Sequence, residues 1–178
     1  MSTATVCFSP QDAARINPGI VYVSLSAYGH AGPWAERRGF DSLVQTSTGF
    51  NHAEGQAAGV EGPKELPAQM LDHATGYLMA FGAMMAKARQ AREGGSWHVR
   101  VSLAQTGRWL WNLGRVADGL KTADLNGEAV KPFVEEMSSG FGPLRAVSHS
   151  AILSKTPAIW SRPAMPLGSH PPQWPARD

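Results

Sequence analysis

The sequence predicts an α/β fold with a partial parallel sheet and packed helices, and three features lead to that expectation. Two short runs rich in β-branched and apolar residues, 20–25 and 97–102, are typical of strands. Residues 71–92 lie between them and form a long apolar and alanine-rich run, which predicts a helix. The last ~40 residues are interrupted by prolines, which predicts an irregular Pro-rich C-terminal extension without long regular elements.

The elements before the long helix are expected to be short. Ser9 and Pro10 predict a helix start, with Ser9 as N-cap, and the following strand at residues 20–25 is expected to be buried. Residues 40–48 predict a helix that turns its apolar side chains inward. Those side chains are Phe40, Leu43 and Val44. Residues 49–67 are expected to be a long, polar, glycine-rich connection.

The long helix at residues 71–92 is apolar nearly all round in its first two-thirds, so we expect it to be buried. Gly76 and Gly82 would let a neighbouring backbone approach it closely. After the strand at 97–103, the Ser102–Gln105 spacing fits a capping box that opens a second helix to about residue 116.

Composition excludes several function classes. Sixteen Lys and Arg against 14 Asp and Glu give a net charge of +2, which argues against a nucleic-acid partner. The single cysteine, Cys7, excludes an intramolecular disulfide, and the six histidines show no i, i+4 metal pairing, so no metal site is expected. No run reaches the ~20 apolar residues of a membrane span, and no targeting segment is visible. A cytoplasmic protein with no membrane partner is therefore expected.

Residues 1–120 are expected to carry the functional segment, and residues 121–178 to be an extension that is not an independent domain. The large apolar side chains of that extension favour a tail that wraps along a surface over a disordered one. They are Trp160, Leu167 and Trp174.

Asp72 is the carboxylate of most chemical interest, because it lies where the long helix begins. One interpretation is structural, since an Asp N-cap accepts a backbone N–H two or three residues on. The other is functional. The positive end of a helix favours a charged carboxylate, which can attack an acyl group while free backbone N–H groups hold the developing oxyanion. The residues alone leave both interpretations open.

Arg37 and Arg38 form the second candidate site. Guanidinium groups match phosphate oxygens in a two-pronged geometry, so this pair is a candidate phosphate contact. The alternative is a solvated pair on a loop, and composition does not separate the two.

Four stretches, in this order and spacing, resemble the family III CoA-transferases, the CaiB/BaiF-type superfamily that includes formyl-CoA transferase, carnitine CoA-transferase and α-methylacyl-CoA racemase. Residues 17–33 are similar to its Asn-Pro, strand, Ser-Gly-Tyr-Gly and Gly-Pro pattern. Residues 38–45 are similar to its Arg-x-Gly-Tyr-Asp-x-x-x-Gln. Residues 66–76 and 94–103 are similar to its Val-Pro…Asp-x-x-x-Gly and Gly-x-Gly-x-x-Val-x-Val-Ser-Leu patterns.

The resemblance implies a CoA-transferase that moves CoA between an acyl-CoA and an acceptor carboxylic acid. Asp72 matches the family's nucleophile, which passes through an acyl–aspartyl anhydride and an aspartyl–CoA thioester. Arg38, with Arg37 beside it, matches a position where the family often carries a cation near the CoA phosphates. Coenzyme A then acts as part of the substrate, and no permanently bound cofactor is implied.

The resemblance also carries two alternatives. A racemase of the same superfamily needs a His in a Gly-His-Asp stretch, and Phe40 stands at that position. Family members begin with a nucleotide-fold half that this chain is expected to lack. A homodimer, or pairing with a homologous chain, is therefore expected, and a truncated non-catalytic remnant or subunit is the second alternative.

Overall fold

The computed structural model describes residues 8–160 and 162–173, and the chain divides into two compact units, Met1–Lys121 and Thr122–Asp178. The α/β class is confirmed in the first unit, which contains one parallel strand pair and packed helices. Its elements are α1 (Pro10–Ile16), β1 (Val21–Ser26), α2 (Asp41–Ser47), α3 (Phe50–Ala58), α4 (Met70–Glu93), β2 (Trp97–Ser102) and α5 (Leu103–Asn112).

Strands β1 and β2 pair in parallel over six residues each, with Val21 opposite Trp97 and Ser26 opposite Ser102. Helices α2, α3 and α4 lie in the connection between them, as a parallel pair requires. The strand β2 runs directly into α5. Ser102 caps that helix, because its Oγ accepts a hydrogen bond from the N–H of Gln105 at 3.2 Å.

The core lies where α2, α4 and α5 meet. Val44, Leu71 and Leu103 are its buried centre, one residue from each helix. Two hydroxyl groups link α4 to α5: Thr75 donates to Thr106 at 2.7 Å, and Thr106 donates to the carbonyl of Ser102 at 3.1 Å. Both threonine hydroxyls therefore satisfy their hydrogen bonds inside the protein.

One side of α4 packs against β2. A Cβ atom on Gly82 would lie only 2.7 Å from Cγ1 of Val99, so this glycine permits the close helix–strand contact. Gly76 meets nothing within 4 Å, and the expectation of a close backbone neighbour is wrong for it. The prediction that α4 is buried nearly all round is also wrong. Its other side, which includes Phe81 and Met84 at 59% and 65% exposure, has no covering element in its unit.

Two further sequence expectations before α4 need correction. Residues 49–67 are not one long connection, because Phe50 and Ala53 pack inward and α3 forms between two glycines with positive φ, Gly49 and Gly59. In α2 only Val44 of the three expected apolar residues turns inward. Phe40 precedes the helix and is 80% exposed, and Leu43 faces solvent.

The second unit contains a short helix, α6 (Gly127–Val130), and an antiparallel hairpin of β3 (Val134–Ser139) and β4 (Gly142–Val147). The proline-interrupted sequence does not predict this hairpin. The segment after it returns to the turn, where the N–H of Gly140 donates to the carbonyl of Ala164 at 2.9 Å. Trp160 stacks on His149, and Leu167 is fully exposed. Trp174 lies outside the described residues.

Replacement of Leu71 by Ala should lower the free energy of unfolding by about 2–5 kcal/mol, because Leu71 is wholly buried between α2 and α5 and leaves a cavity. Val116→Ala, at a residue that is 84% exposed and outside the core, is the control and should change it by less than about 0.5 kcal/mol. Urea denaturation followed by circular dichroism measures both. Equal effects of the two substitutions would contradict this description of the core.

Candidate active site

Asp72 lies in the first turn of α4, at the third helical position, and its side chain is exposed. The N-cap interpretation is wrong, because Gln69 occupies the cap position and no side chain caps the helix from there. Leu71, one position earlier, is directed into the core. Successive helical residues are rotated by roughly 100° about the axis, so the burial of Leu71 turns Asp72 outward.

The backbone of Asp72 is held by a residue from another helix. Its N–H donates to Oδ2 of Asp41 at 2.9 Å, across 31 positions of sequence. The other carboxylate oxygen of Asp41 accepts from the side-chain amide of Gln45, one turn along α2. Oε1 of Gln45 in turn accepts from the N–H of Leu66 at 3.0 Å. The Asp41 carboxylate and the Gln45 amide therefore hold both ends of the segment from Leu66 to the first turn of α4 by hydrogen bonds.

Two of the backbone N–H groups at this helix start are not free to hold an oxyanion. That of Asp72 is bonded to Asp41, and that of His73 donates to the carbonyl of Gln69 at 3.0 Å. The expected oxyanion role is therefore wrong for these two groups.

The surface next to Asp72 is open. Gly76 follows one turn later on the same side of α4, and a Cβ atom there would meet nothing within 4 Å. The exposed apolar side of α4 lies about 120–180° around the helix axis from Asp72. Its large residues are Tyr77, Phe81, Met84 and Met85. A reacting group can thus approach the carboxylate over a helix surface that has no side chain at position 76.

Arg37 and Arg38 are both exposed, but their surroundings differ. The guanidinium of Arg37 lies over the ring of Trp34, 4.8 Å from its centroid. Arg38 has no hydrogen-bond or ion-pair partner in the part of the chain that the structure describes. It lies three positions before Asp41, and three residues of extended chain span at most about 11 Å. The Arg38 backbone is therefore near the residue that anchors Asp72.

A second polar cluster lies on the face of the sheet opposite α4. Val99 faces α4, and because successive strand residues point to opposite faces, His98 points to this second face. Oγ of Ser24 and Nε2 of His98 are 2.7 Å apart, and the rings of Tyr22 and His30 lie beside His98 at centroid distances of 5.4 and 6.4 Å. Burial, followed by the charges of Arg100 and His30, holds the pKa of His98 below its ordinary 6.5. The imidazole is therefore neutral near pH 7.

Sequence reasoning missed Asp41 and Gln45 as site residues. Their i, i+4 spacing was visible and places both side chains on one side of a helix. Nothing in the sequence said which distant N–H groups they would accept from, and that is a property of the fold. Among residues 8–160 and 162–173, no three His, Cys, Asp or Glu side chains are grouped to hold a metal ion.

With this geometry established, a comparison with protein families gives a clear result. The model of CoA-transferase family III matches residues 3–131, which is more than half of the 178 residues. The chain therefore belongs to CoA-transferase family III. The match includes Asp41, Gln45 and Asp72, and it confirms the family resemblance of the four sequence stretches.

Curated relatives are similar to only part of their own length. The acetyl-coenzyme A transferase nodX of Hypoxylon pulicicidum is 33% identical over 92 residues, which are 52% of this chain and 16% of that protein. The succinyl-CoA:glutarate CoA-transferase of Mus musculus is 38% identical over 76 residues, 43% of this chain and 17% of that protein. The chain thus matches less than a fifth of the length of either relative.

Solved structures support the fold. The orthorhombic crystal structure of Rv3272 from Mycobacterium tuberculosis matches with a TM-score of 0.69 and 16% identity, covering 91% of this chain and 70% of that one. A CAIB/BAIF family protein from Brucella suis matches with a TM-score of 0.50 and 23% identity, covering 75% and 36%. At these identities the likeness is one of fold. No helix of the described residues is both long and apolar enough to cross a membrane.

Proposed function

We propose that this chain carries the catalytic segment of an enzyme that transfers CoA between an acyl-CoA and a carboxylic acid, with Asp72 as the nucleophile. The observation that carries the proposal is the exposed Asp72 carboxylate on a helix turn whose backbone is anchored by Asp41. An anchored backbone with an outward side chain suits a nucleophile, because it limits the positions that the attacking oxygen adopts.

The reaction is balanced without ATP. One oxygen of Asp72 attacks the thioester carbonyl, CoA leaves as the thiolate, and an acyl–aspartyl anhydride forms. The thiolate attacks the aspartyl carbonyl, which releases the first acid and leaves an aspartyl–CoA thioester. The acceptor carboxylate attacks that thioester, and the thiolate then attacks the acceptor's carbonyl in the new anhydride. One thioester is consumed, one is formed, and Asp72 regains its carboxylate.

Arg38 and Arg37 are proposed as contacts for the phosphate groups of CoA. Arg38 is exposed and without an anionic partner in the described chain, so its guanidinium is available to an incoming phosphate. Arg37 is oriented by Trp34, and cation–π stacking leaves the edge of its guanidinium open for hydrogen bonds. Binding energy from these remote groups would position the thioester.

Transferase chemistry is favoured over racemisation by Phe40. This residue stands where the racemase pattern has its histidine, and its exposed aromatic side chain carries no proton to exchange. His73 is next to Asp72, but adjacent helical residues do not share a face, so the two do not form an acid–base pair across one substrate.

A homodimer, or pairing with a homologous chain, is proposed to cover the exposed apolar side of α4. Large apolar groups in a contiguous exposed patch mark interaction surfaces, and here they form one exposed side of α4. We propose that the assembly acts in the cytoplasm on soluble acids and their CoA esters.

Asp72→Asn should abolish covalent labelling of the chain by acyl-CoA, because the amide is a far weaker nucleophile than the carboxylate. The purified chain is incubated with acetyl-CoA or succinyl-CoA and its intact mass is measured. The wild type should gain an acyl or CoA adduct. Asp124→Asn, which changes an exposed aspartate elsewhere, is the matched control and should label normally. Labelling of Asp72→Asn, or no labelling of a folded wild type, would contradict the proposed function.

Arg38→Gln should raise the acyl-CoA concentration that gives half-maximal labelling about tenfold and leave the maximal rate nearly unchanged, because a remote phosphate contact contributes uniform binding. The labelling rate is measured across acyl-CoA concentrations. Arg92→Gln, at the far end of α4, is the control and should behave as the wild type. An unchanged concentration dependence for Arg38→Gln would argue against this contact.

Phe81→Glu with Met84→Glu should prevent self-association, because a charge on each side chain cannot be buried in an apolar interface without a partner. Light scattering after size-exclusion chromatography should show a dimer for the wild type and a monomer for this variant. Arg92→Glu should remain dimeric. A wild type that is monomeric at every concentration would contradict pairing with a second copy.

A further inference from the structure

We infer that Asp41 and Gln45 form a positioning pair that sets the placement of Asp72 by holding both ends of the segment between Leu66 and α4. Neither residue touches the reacting atoms, and both act through the backbone. The inference deepens the proposed function and rests on it for its catalytic meaning, whereas the hydrogen-bond geometry stands by itself.

The pair is directional. Asp41 only accepts hydrogen bonds, and it accepts from the N–H of Asp72 with one oxygen and from the amide of Gln45 with the other. That amide uses its NH₂ toward Asp41, and its oxygen is thereby directed at the N–H of Leu66. The carboxylate of Asp41 and the amide oxygen of Gln45 thus give each of these two backbone N–H groups an acceptor.

The burial of Asp41 and Gln45 increases the free-energy cost of losing these hydrogen bonds. Asp41 is 2% exposed and Gln45 is 1% exposed, so water does not readily replace a lost partner. Asp41 has no cationic partner among the described residues, and its hydrogen bonds go to Gln45 and to the backbone of α4. A side chain that is buried in this way and aimed at a distant N–H restrains that N–H strongly.

The segment that the pair holds has an unusual backbone. Ala68 has a φ of +53°, in the left-handed region that disfavours residues with a Cβ atom. Pro67 precedes it, and Gln69 at the N-cap of α4 makes no capping hydrogen bond with its side chain. A strained turn persists where its surroundings fix it from both sides, and the bonds to Leu66 and Asp72 do so here. Without them the turn would relax and move Asp72.

The directionality permits a sharp test. Asp41→Asn places an NH₂ group opposite either the N–H of Asp72 or the NH₂ of Gln45, so one donor loses its acceptor. Gln45→Glu places two carboxylates against each other. The double variant Asp41→Asn/Gln45→Glu has the same size and the same formal charge as the wild type. It reverses only the middle hydrogen bond, and both backbone N–H groups again have an oxygen acceptor.

The four proteins of this cycle are compared by amide hydrogen exchange at Leu66 and Asp72, and by the rate of labelling with acetyl-CoA or succinyl-CoA per folded molecule. Each single variant should lose about tenfold or more of the exchange protection at these amides, the ratio expected for one buried hydrogen bond. Each should also label about tenfold more slowly or worse, as expected for a displaced nucleophile. The double variant should recover both properties to within about threefold of the wild type.

Recovery of the labelling rate per folded molecule in the double variant is the result that a role in stability alone would not give, because a loss of stability changes the folded fraction and not the rate of a folded molecule. If the single variants do not fold but the double variant does, the pair is also supported. A double variant that is no better than either single one would overturn the inference, as would single variants that keep their protection and labelling rate.

The two proposals fail in different ways. If Asp72→Asn still labels while the exchange cycle shows recovery, the nucleophile is wrong and the Asp41–Gln45 geometry stands. If Asp72→Asn abolishes labelling and the cycle shows no coupling, the nucleophile stands and the positioning pair is wrong.

Discussion

The buried hydrogen bonds from Asp41 and Gln45 are the constraint on which the rest of the site depends. They join α2 to the segment before α4 and to its first turn, where no side chain of the local sequence provides a cap. Once that turn is fixed, the rotation of about 100° per helical residue determines which side chains face the core. Leu71 enters the core between α2 and α5, and Asp72 faces outward. A motif on one helix thereby determines the placement of a carboxylate 31 residues later.

This arrangement links the family's sequence pattern to its chemistry. A carboxylate that attacks a thioester gains rate from placement, because a held geometry avoids the entropy cost of bringing the two groups together. In the proposed reaction the anchored helix start would supply this placement, and Gly76 would leave room for the approaching group.

Much of the local structure was predictable from the sequence. The two strands, the start of α5 at Ser102 and the length of α4 follow from periodicity and capping residues, which act over a few positions. Helix α3 was missed because its polar, glycine-containing sequence is stabilised by contacts of Phe50 with α5 and not by a strong local pattern. The exposure of one side of α4 was missed because an apolar composition does not show whether the chain has an element that covers every side of the helix. The hydrogen bond from the backbone N–H of Asp72 to the Asp41 carboxylate was missed because it joins residues 31 positions apart.

The most direct test of the central claim follows oxygen atoms during turnover. If Asp72 is the nucleophile, the acceptor acid must leave one of its oxygens on the Asp72 carboxylate after the second anhydride collapses. The chain is therefore incubated with acetyl-CoA and acetate labelled with ¹⁸O in both oxygens, and then digested for peptide mass analysis. The account predicts that heavy oxygen enters the peptide containing Asp72 and no other. Transfer of CoA without any heavy oxygen in that peptide would contradict it.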